Sequence, residues 1–243
     1  MATQTMTESQ QIAPKKTQRQ YVRFAFYQAT PAYRTLDMEG KERAREEFIT
    51  ILEDLADDGF VRIYSTVGTR SDADLLIWHV SGNLDVIHQG AARMNASELG
   101  RYLELTHNFL SMTKRSIYVD KHVHQGQEGR RTRIRPANKR YLFVYPFVKS
   151  RQWYLLSKEE RQRMMDTHIE VGHRYPSVRL NTTYSFGLDD QDFVVAFETD
   201  EPADFLDLVM DLRETEGSLY TVRDTPIFTC ISQEPQAAFD ALG

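Results

Sequence analysis

The sequence predicts an α+β protein made of duplicated ferredoxin-like units, a dimeric α+β barrel in which strands form a β-barrel with helices outside. Three observations carry this. The order strand-helix-strand-strand-helix-strand occurs twice in 243 residues. Val61-Arg62-Ile63 leading to Gly68 is echoed by Val178-Arg179-Leu180 leading to Gly187. Each unit alone leaves strand edges that need cover, and pairing the two sheets into one barrel supplies it.

The first unit spans 21–120. Tyr21 to Gln28 alternates and is aromatic-rich, which predicts a strand. Residues 41–57 place Ala44, Phe48, Ile51, Leu52 and Leu55 on one face of a helix, and Gly59 stops it. Strands follow at 60–67 and 75–80. A helix is expected over 84–112, interrupted near Asn95 to Ser97, and a short strand over 116–119. The second unit spans 141–243. It opens with a strand at 141–148. A helix at 157–175 starts with Ser157 and Glu160 spaced as a capping box. Strands at 178–186 and 193–198 flank Gly187-Leu188-Asp189-Asp190. A helix at 202–216 and strands at 219–222 and 227–231 complete it. Residues 1–20 carry little that can be buried and read as a disordered tail. Residues 121–140 read as a basic linker, with Arg130, Arg131, Arg133, Arg135, Lys139 and Arg140 close together and Pro136 among them.

Composition excludes several classes. Net charge is −5 and no nucleic-acid motif is present, so nucleic acid is not an expected partner. No apolar run is long enough for a membrane span. The single cysteine, Cys230, cannot form an internal disulfide, and its neighbours Phe228 and Ile231 suggest a core strand. A cytoplasmic location is the expectation. Gly-rich phosphate loops, paired Cys motifs and His-Glu-x-x-His are absent. His122 and His124 would share a strand face, but two ligands make an incomplete metal site.

Three features could carry chemistry. His168 shares a helix face with Met164, Met165, Val171, Gly172 and Tyr175. It is either a core histidine satisfied by one hydrogen bond or an axial ligand to haem iron in an apolar pocket. Gly172 removes a side chain from that face, which lets a flat ligand approach. Tyr145, Phe147 and Lys149 share one face of a strand marked by Pro146 as an edge or bulge. Either they pack and stay wet, or a phenol and an ammonium face a cavity together. The basic tract is either solvated or built for a multiply carboxylated or phosphorylated ligand. Arg213 and Ser218 are unremarkable on their own.

Together, Tyr145-Pro146-Phe147-Val148-Lys149-Ser150, Trp153-Tyr154-Leu155-Leu156, His168 and Gly187-Leu188-Asp189-Asp190 resemble the chlorite dismutase-like superfamily. Within it they are most similar to the coproheme decarboxylase branch of actinobacterial type. The resemblance implies haem in the C-terminal unit, usually a homopentamer, and His168 as proximal iron ligand. It implies that Tyr145 is a redox-active tyrosine with Lys149 its basic neighbour, and that Arg131, Arg213 and Ser218 hold propionates. The position of the distal arginine or glutamine of relatives falls on Leu180, or on Asn181 if the gap lies elsewhere; His122 or His124 would then take a distal, base-like role. The implied activity is hydrogen-peroxide-dependent decarboxylation of iron coproporphyrin III (coproheme) to haem b, with possible transient contact with a ferrochelatase. The alternatives are chlorite dismutation with haem b, non-catalytic haem binding, and a haem-free barrel binding another anion.

Overall fold

The computed structural model describes residues 19–118, 133–134 and 136–243. In order, the elements are β1 (Tyr21–Ala29), α1 (Pro31–Arg34), α2 (Met38–Asp57), β2 (Gly59–Ser65), β3 (Leu75–Ser81), α3 (Leu84–Ala96) and β4 (Leu103–Met112). The second half follows with β5 (Tyr141–Lys149), α4 (Arg151–Leu155), α5 (Lys158–His173), β6 (Arg179–Tyr184), β7 (Phe193–Thr199), α6 (Pro202–Arg213), β8 (Thr221–Arg223), β9 (Phe228–Ser232) and α7 (Pro235–Asp240). Among these, no helix is long and apolar enough to cross a membrane.

All strand pairs are antiparallel, in the order β7-β6-β4-β1-β3-β2-β9-β5-β8. A further β5–β7 pairing closes the ring into a barrel, the duplicated ferredoxin-like architecture. The first half contributes β4-β1-β3-β2 and the second β9-β5-β7-β6. The halves meet at β2–β9 and β4–β6, so each covers the other's free edges.

The two halves repeat at a constant offset through their first three elements. β1 and β5 begin at Tyr21 and Tyr141, α2 and α5 at Met38 and Lys158, β2 and β6 at Gly59 and Arg179. Both long helices are capped from the side chain, by Asp37 and by Ser157; at Ser157 the reciprocal Glu160 contact completes a capping box.

Two expected elements are corrected. The helix expected over 84–112 ends at Ala96, a short 3-10 turn covers Leu99–Tyr102, and Leu103–Met112 is strand β4. Ser97 Oγ donates to Met94 O and accepts from Gly100 N, which ends the helix. A Cβ at Gly100 would lie 2.0 Å from Met94 O, so only glycine permits this turn. The strand expected at 116–119 does not form in its described part: Ser116 to Tyr118 follow β4, which already supplies the fourth strand. The helix expected over 202–216 stops at Arg213, a 3-10 turn takes Glu216–Tyr220, β8 is only three residues long, and α7 adds a helix that the sequence pattern did not predict.

Three apolar clusters follow from the alternation of the strands. One fills the barrel, with Phe24, Phe26, Leu76, Trp78, Phe228 and the free Cys230. A second packs the outer sheet face of the first half against α2 and α3 through Phe48, Ile51, Leu52 and Leu55. The third lies between the outer face of β5–β7 and helices α5 and α6, with Phe143, Tyr145, Val171, Phe197, Phe205 and Leu208. The described end of the linker packs against the barrel. Ile134 packs on the interior cluster, its N–H donates to Gln20, and Ala137 N donates to the fully buried Glu198 at 2.9 Å.

Candidate functional site

The third cluster is the candidate site. β5 presents Phe143, Tyr145 and Phe147 on the face covered by α5 and α6. Tyr145 is buried, faces Val195 across the ladder and stacks on Phe197 at 6.0 Å. Burial raises its pKa, Asp224 raises it further, and Arg213 opposes them, so the phenol is neutral at pH 7.

Lys149 ends β5 beside a register shift. Its Nζ donates to Gly217 O at 2.6 Å and to Thr221 Oγ1 at 3.4 Å, and lies 4.8 Å from the Trp153 ring centroid. Burial lowers its pKa to about 8. His168 lies on the inner side of α5 between buried Met164 and Val171. Burial first, and the Lys149 charge second, hold its pKa down at about 4. The imidazole is therefore neutral at pH 7, with a lone pair for a metal. Among the described residues no hydrogen bond to this ring is found.

One turn further on, a Cβ at Gly172 would meet nothing within 4 Å. An open space therefore lies beside the helix, on the face that carries His168. Among the described residues no group of three His, Cys, Asp or Glu could hold a bare metal ion. A single neutral imidazole beside apolar space fits an iron already held by a macrocycle, the arrangement of a proximal haem ligand.

Arg213 and Ser218 come together at the end of α6. Ser218 Oγ donates to Arg213 O at 2.7 Å, and Arg213 Nη2 lies 3.0 Å from Asp224 Oδ2. Gly217, which receives the Lys149 ammonium, is the next residue to Ser218, so the rim joins Lys149 to Arg213. Leu180 packs on the outer cluster opposite Phe197, whereas Asn181 faces into the barrel and donates to Glu198 at 3.0 Å. Arg131, His122 and His124 lie outside the described residues. The structure thus places Tyr145 and Leu180 in one cluster, His168 on a helix that covers it and near Lys149, and Lys149 next to the turn that carries Ser218 and Arg213, and it sets Asn181 apart.

Two other motif pieces are architectural. Gly187 adopts φ +72°, which favours glycine, and Asp189 accepts from Leu110 N at 2.7 Å, pinning the β6–β7 turn to β4. Asp192 accepts from Lys149 N and from the Tyr154 hydroxyl, both at 2.8 Å, fixing the end of β5 against α4. Sequence reasoning missed Asp192 and Asp224. Both are acidic loop residues whose partners lie on other elements, 43 and 38 residues away for Asp192 and 11 for Asp224, so helix or strand periodicity holds no signal for them.

Comparison with known proteins agrees with this architecture. The family model described as chlorite dismutase matches residues 41–233. Coproheme decarboxylase of Mycolicibacterium smegmatis is 33% identical over 195 residues, covering 78% of this chain and 82% of that protein. A variant of chlorite dismutase from Candidatus Nitrospira defluvii superposes with a TM-score of 0.84 at 23% identity, covering 92% of this chain and 94% of the other. The same enzyme in complex with imidazole gives 0.83 at 24% identity over the same shares. The fold, the match over most of the sequence and the identity to a named relative agree: this chain belongs to the chlorite dismutase family.

Proposed function

We propose that this protein is a coproheme decarboxylase, using hydrogen peroxide to convert iron coproporphyrin III to haem b. The observation that carries the reading is the buried neutral phenol of Tyr145 on the sheet face that α5 covers, with the neutral His168 imidazole on that helix close enough to feel the Lys149 charge. The identity to the Mycolicibacterium smegmatis protein supports it.

In this reading His168 holds the iron through its neutral ring. Gly172 leaves room for the plane of the porphyrin, and Arg213, Ser218 and the linker's Arg131 hold carboxylates at the rim. The iron porphyrin supplies the oxidising capacity when peroxide reacts with it. The protein's task is orientation and proton control. Each propionate gives up two electrons, one proton and carbon dioxide to become a vinyl group. Peroxide takes up two electrons and two protons to become two waters. Tyr145 relays the hydrogen: it loses an electron and its phenolic proton, then takes a hydrogen atom from the adjacent propionate. Burial suits this role, because a phenol kept neutral carries its proton to the moment of oxidation. Lys149, with its pKa near 8, holds a cation close to the reacting carboxylate and can exchange a proton near neutral pH.

An apolar Leu180 on the site face favours this over chlorite dismutation, which needs a cation beside the oxyanion. The family resemblance also supports assembly as a homopentamer. Exposed Leu206 and Met210 on α6 offer apolar surface that such an assembly covers.

The test is addition of iron coproporphyrin III and then peroxide, with products followed by mass. Wild type is expected to lose two carbon dioxides in sequence. Tyr145→Phe is expected to bind the porphyrin with an unchanged Soret band and to release none. Normal turnover by that variant removes the reading, and oxygen release from chlorite by the haem b form supports the alternative.

A further inference from the structure

The ion pair at the rim of the site gives Asp224 a role. Arg213 ends α6, and its Nη2 sits 3.0 Å from Asp224 Oδ2. Asp224 directly follows β8, the strand paired with Val148 and Lys149. Both charges reach the Tyr145 phenol, with opposite effects on it. The side chains are 60% and 29% exposed, so the pair adds little to stability. A carboxylate therefore already sits on the guanidinium whose charge reaches the Tyr145 phenol, in a contact that is easily exchanged.

We propose that Asp224 is a stand-in for a substrate carboxylate: it holds Arg213 while the site is empty and yields the arginine to a porphyrin propionate on binding. This rests on the porphyrin reading above. A ligand with a carboxylate at that position must displace Asp224. A ligand with a vinyl group there leaves the Arg213–Asp224 pair intact. Asp224 thus acts as a specificity and positioning residue through Arg213. It weakens binding of the four-carboxylate substrate without touching the two-carboxylate product, and it gives the arginine a partner again once the carboxylate has left as carbon dioxide.

Soret titrations with iron coproporphyrin III and with iron protoporphyrin IX test this in wild type, Asp224→Asn, Arg213→Gln and the double variant. Asp224→Asn is expected to tighten the four-carboxylate porphyrin by up to about fivefold, the range of an exposed ion pair, and to leave the two-carboxylate porphyrin unchanged. Arg213→Gln is expected to weaken only the four-carboxylate ligand. In the Arg213→Gln background, Asp224→Asn is expected to have no effect, since the pair is gone. Asp224→Ser, which also cannot pair the arginine, should match Asp224→Asn. Equal changes for both porphyrins, weaker or unchanged binding of the four-carboxylate ligand, or an Asp224 effect that survives without Arg213 overturns the proposal. If wild type binds neither porphyrin, the functional reading itself fails. If wild type binds both and Asp224→Asn changes nothing, only the role of Asp224 fails.

Discussion

An imidazole that stays neutral down to about pH 4 keeps its lone pair available at any ordinary working pH. His168→Ala is therefore expected to abolish the ligated Soret spectrum of the iron porphyrin, and restoration of that spectrum by added imidazole is the check. The same burial predicts an acid-sensitive fold. His79 is fully buried, with neither ring nitrogen partnered, and its pKa is also held at about 4 by burial and by neighbouring Arg23. Folding favours the neutral form of both rings, so between pH 6.5 and 4 the unfolded chain binds more protons. Their contribution to stability is full above pH 6.5 and is lost as pH falls towards 4. Urea midpoints of the porphyrin-free protein should drop over that window, and His79→Phe should flatten the drop.

At the scale of elements, duplication turns the chain into its own control. Through β1–α2 and β5–α5 the halves stay in step, so each of these proposed site positions has a counterpart. Where the second half carries Tyr145, Lys149, His168 and Gly172, the first carries Ala25, Ala29, Phe48 and Leu52. Flanking contacts keep their character, Ala44 with Met164 and Ile51 with Val171, all buried. The first half spends this face on packing: Phe48 and Leu52 fill it, with Phe48 edge-on to Phe239 of α7. The second half leaves space at Gly172 instead. Gly172→Leu copies the first half. It should stabilise α5 by up to about 1 kcal/mol, since glycine is a poor helix former. It should also abolish porphyrin binding. A raised thermal midpoint together with a lost Soret band is the expected signature.

At the scale of the whole molecule, the two halves share one barrel and one interior cluster, so neither has a complete core alone. Unfolding followed by tryptophan fluorescence and by far-UV dichroism should give coincident single transitions. Glu198 is the polar joint of this closure. Fully buried, it accepts from Ala137 N and Asn181 Nδ2 and lies 3.9 Å from Arg62 Nη1. Glu198→Ala would orphan those donors inside the barrel and should cost about 3 kcal/mol, read from the denaturant midpoint. The joint also fixes where the linker enters β5, four residues before Tyr145, so the proposed decarboxylation is expected to be lost together with stability.

The sequence by itself determined the repeated element order, the inward face of α5, and Tyr145, Lys149 and His168 as the residues to watch. Those features are local: periodicity, caps and turn glycines act within a few residues, where steric and hydrogen-bond rules are strong. It misassigned 103–112 because that segment's alternation is weak, with Leu105 half exposed, and its strand character comes from pairing with β1 and β6. Only the tertiary structure separated Leu180 from Asn181, since a one-residue change of register reverses the face and the register is set by β7. Only it brought Asp192 to Lys149 and Asp224 to Arg213. Charges on loops carry no periodicity, and their partners are chosen by how the barrel closes.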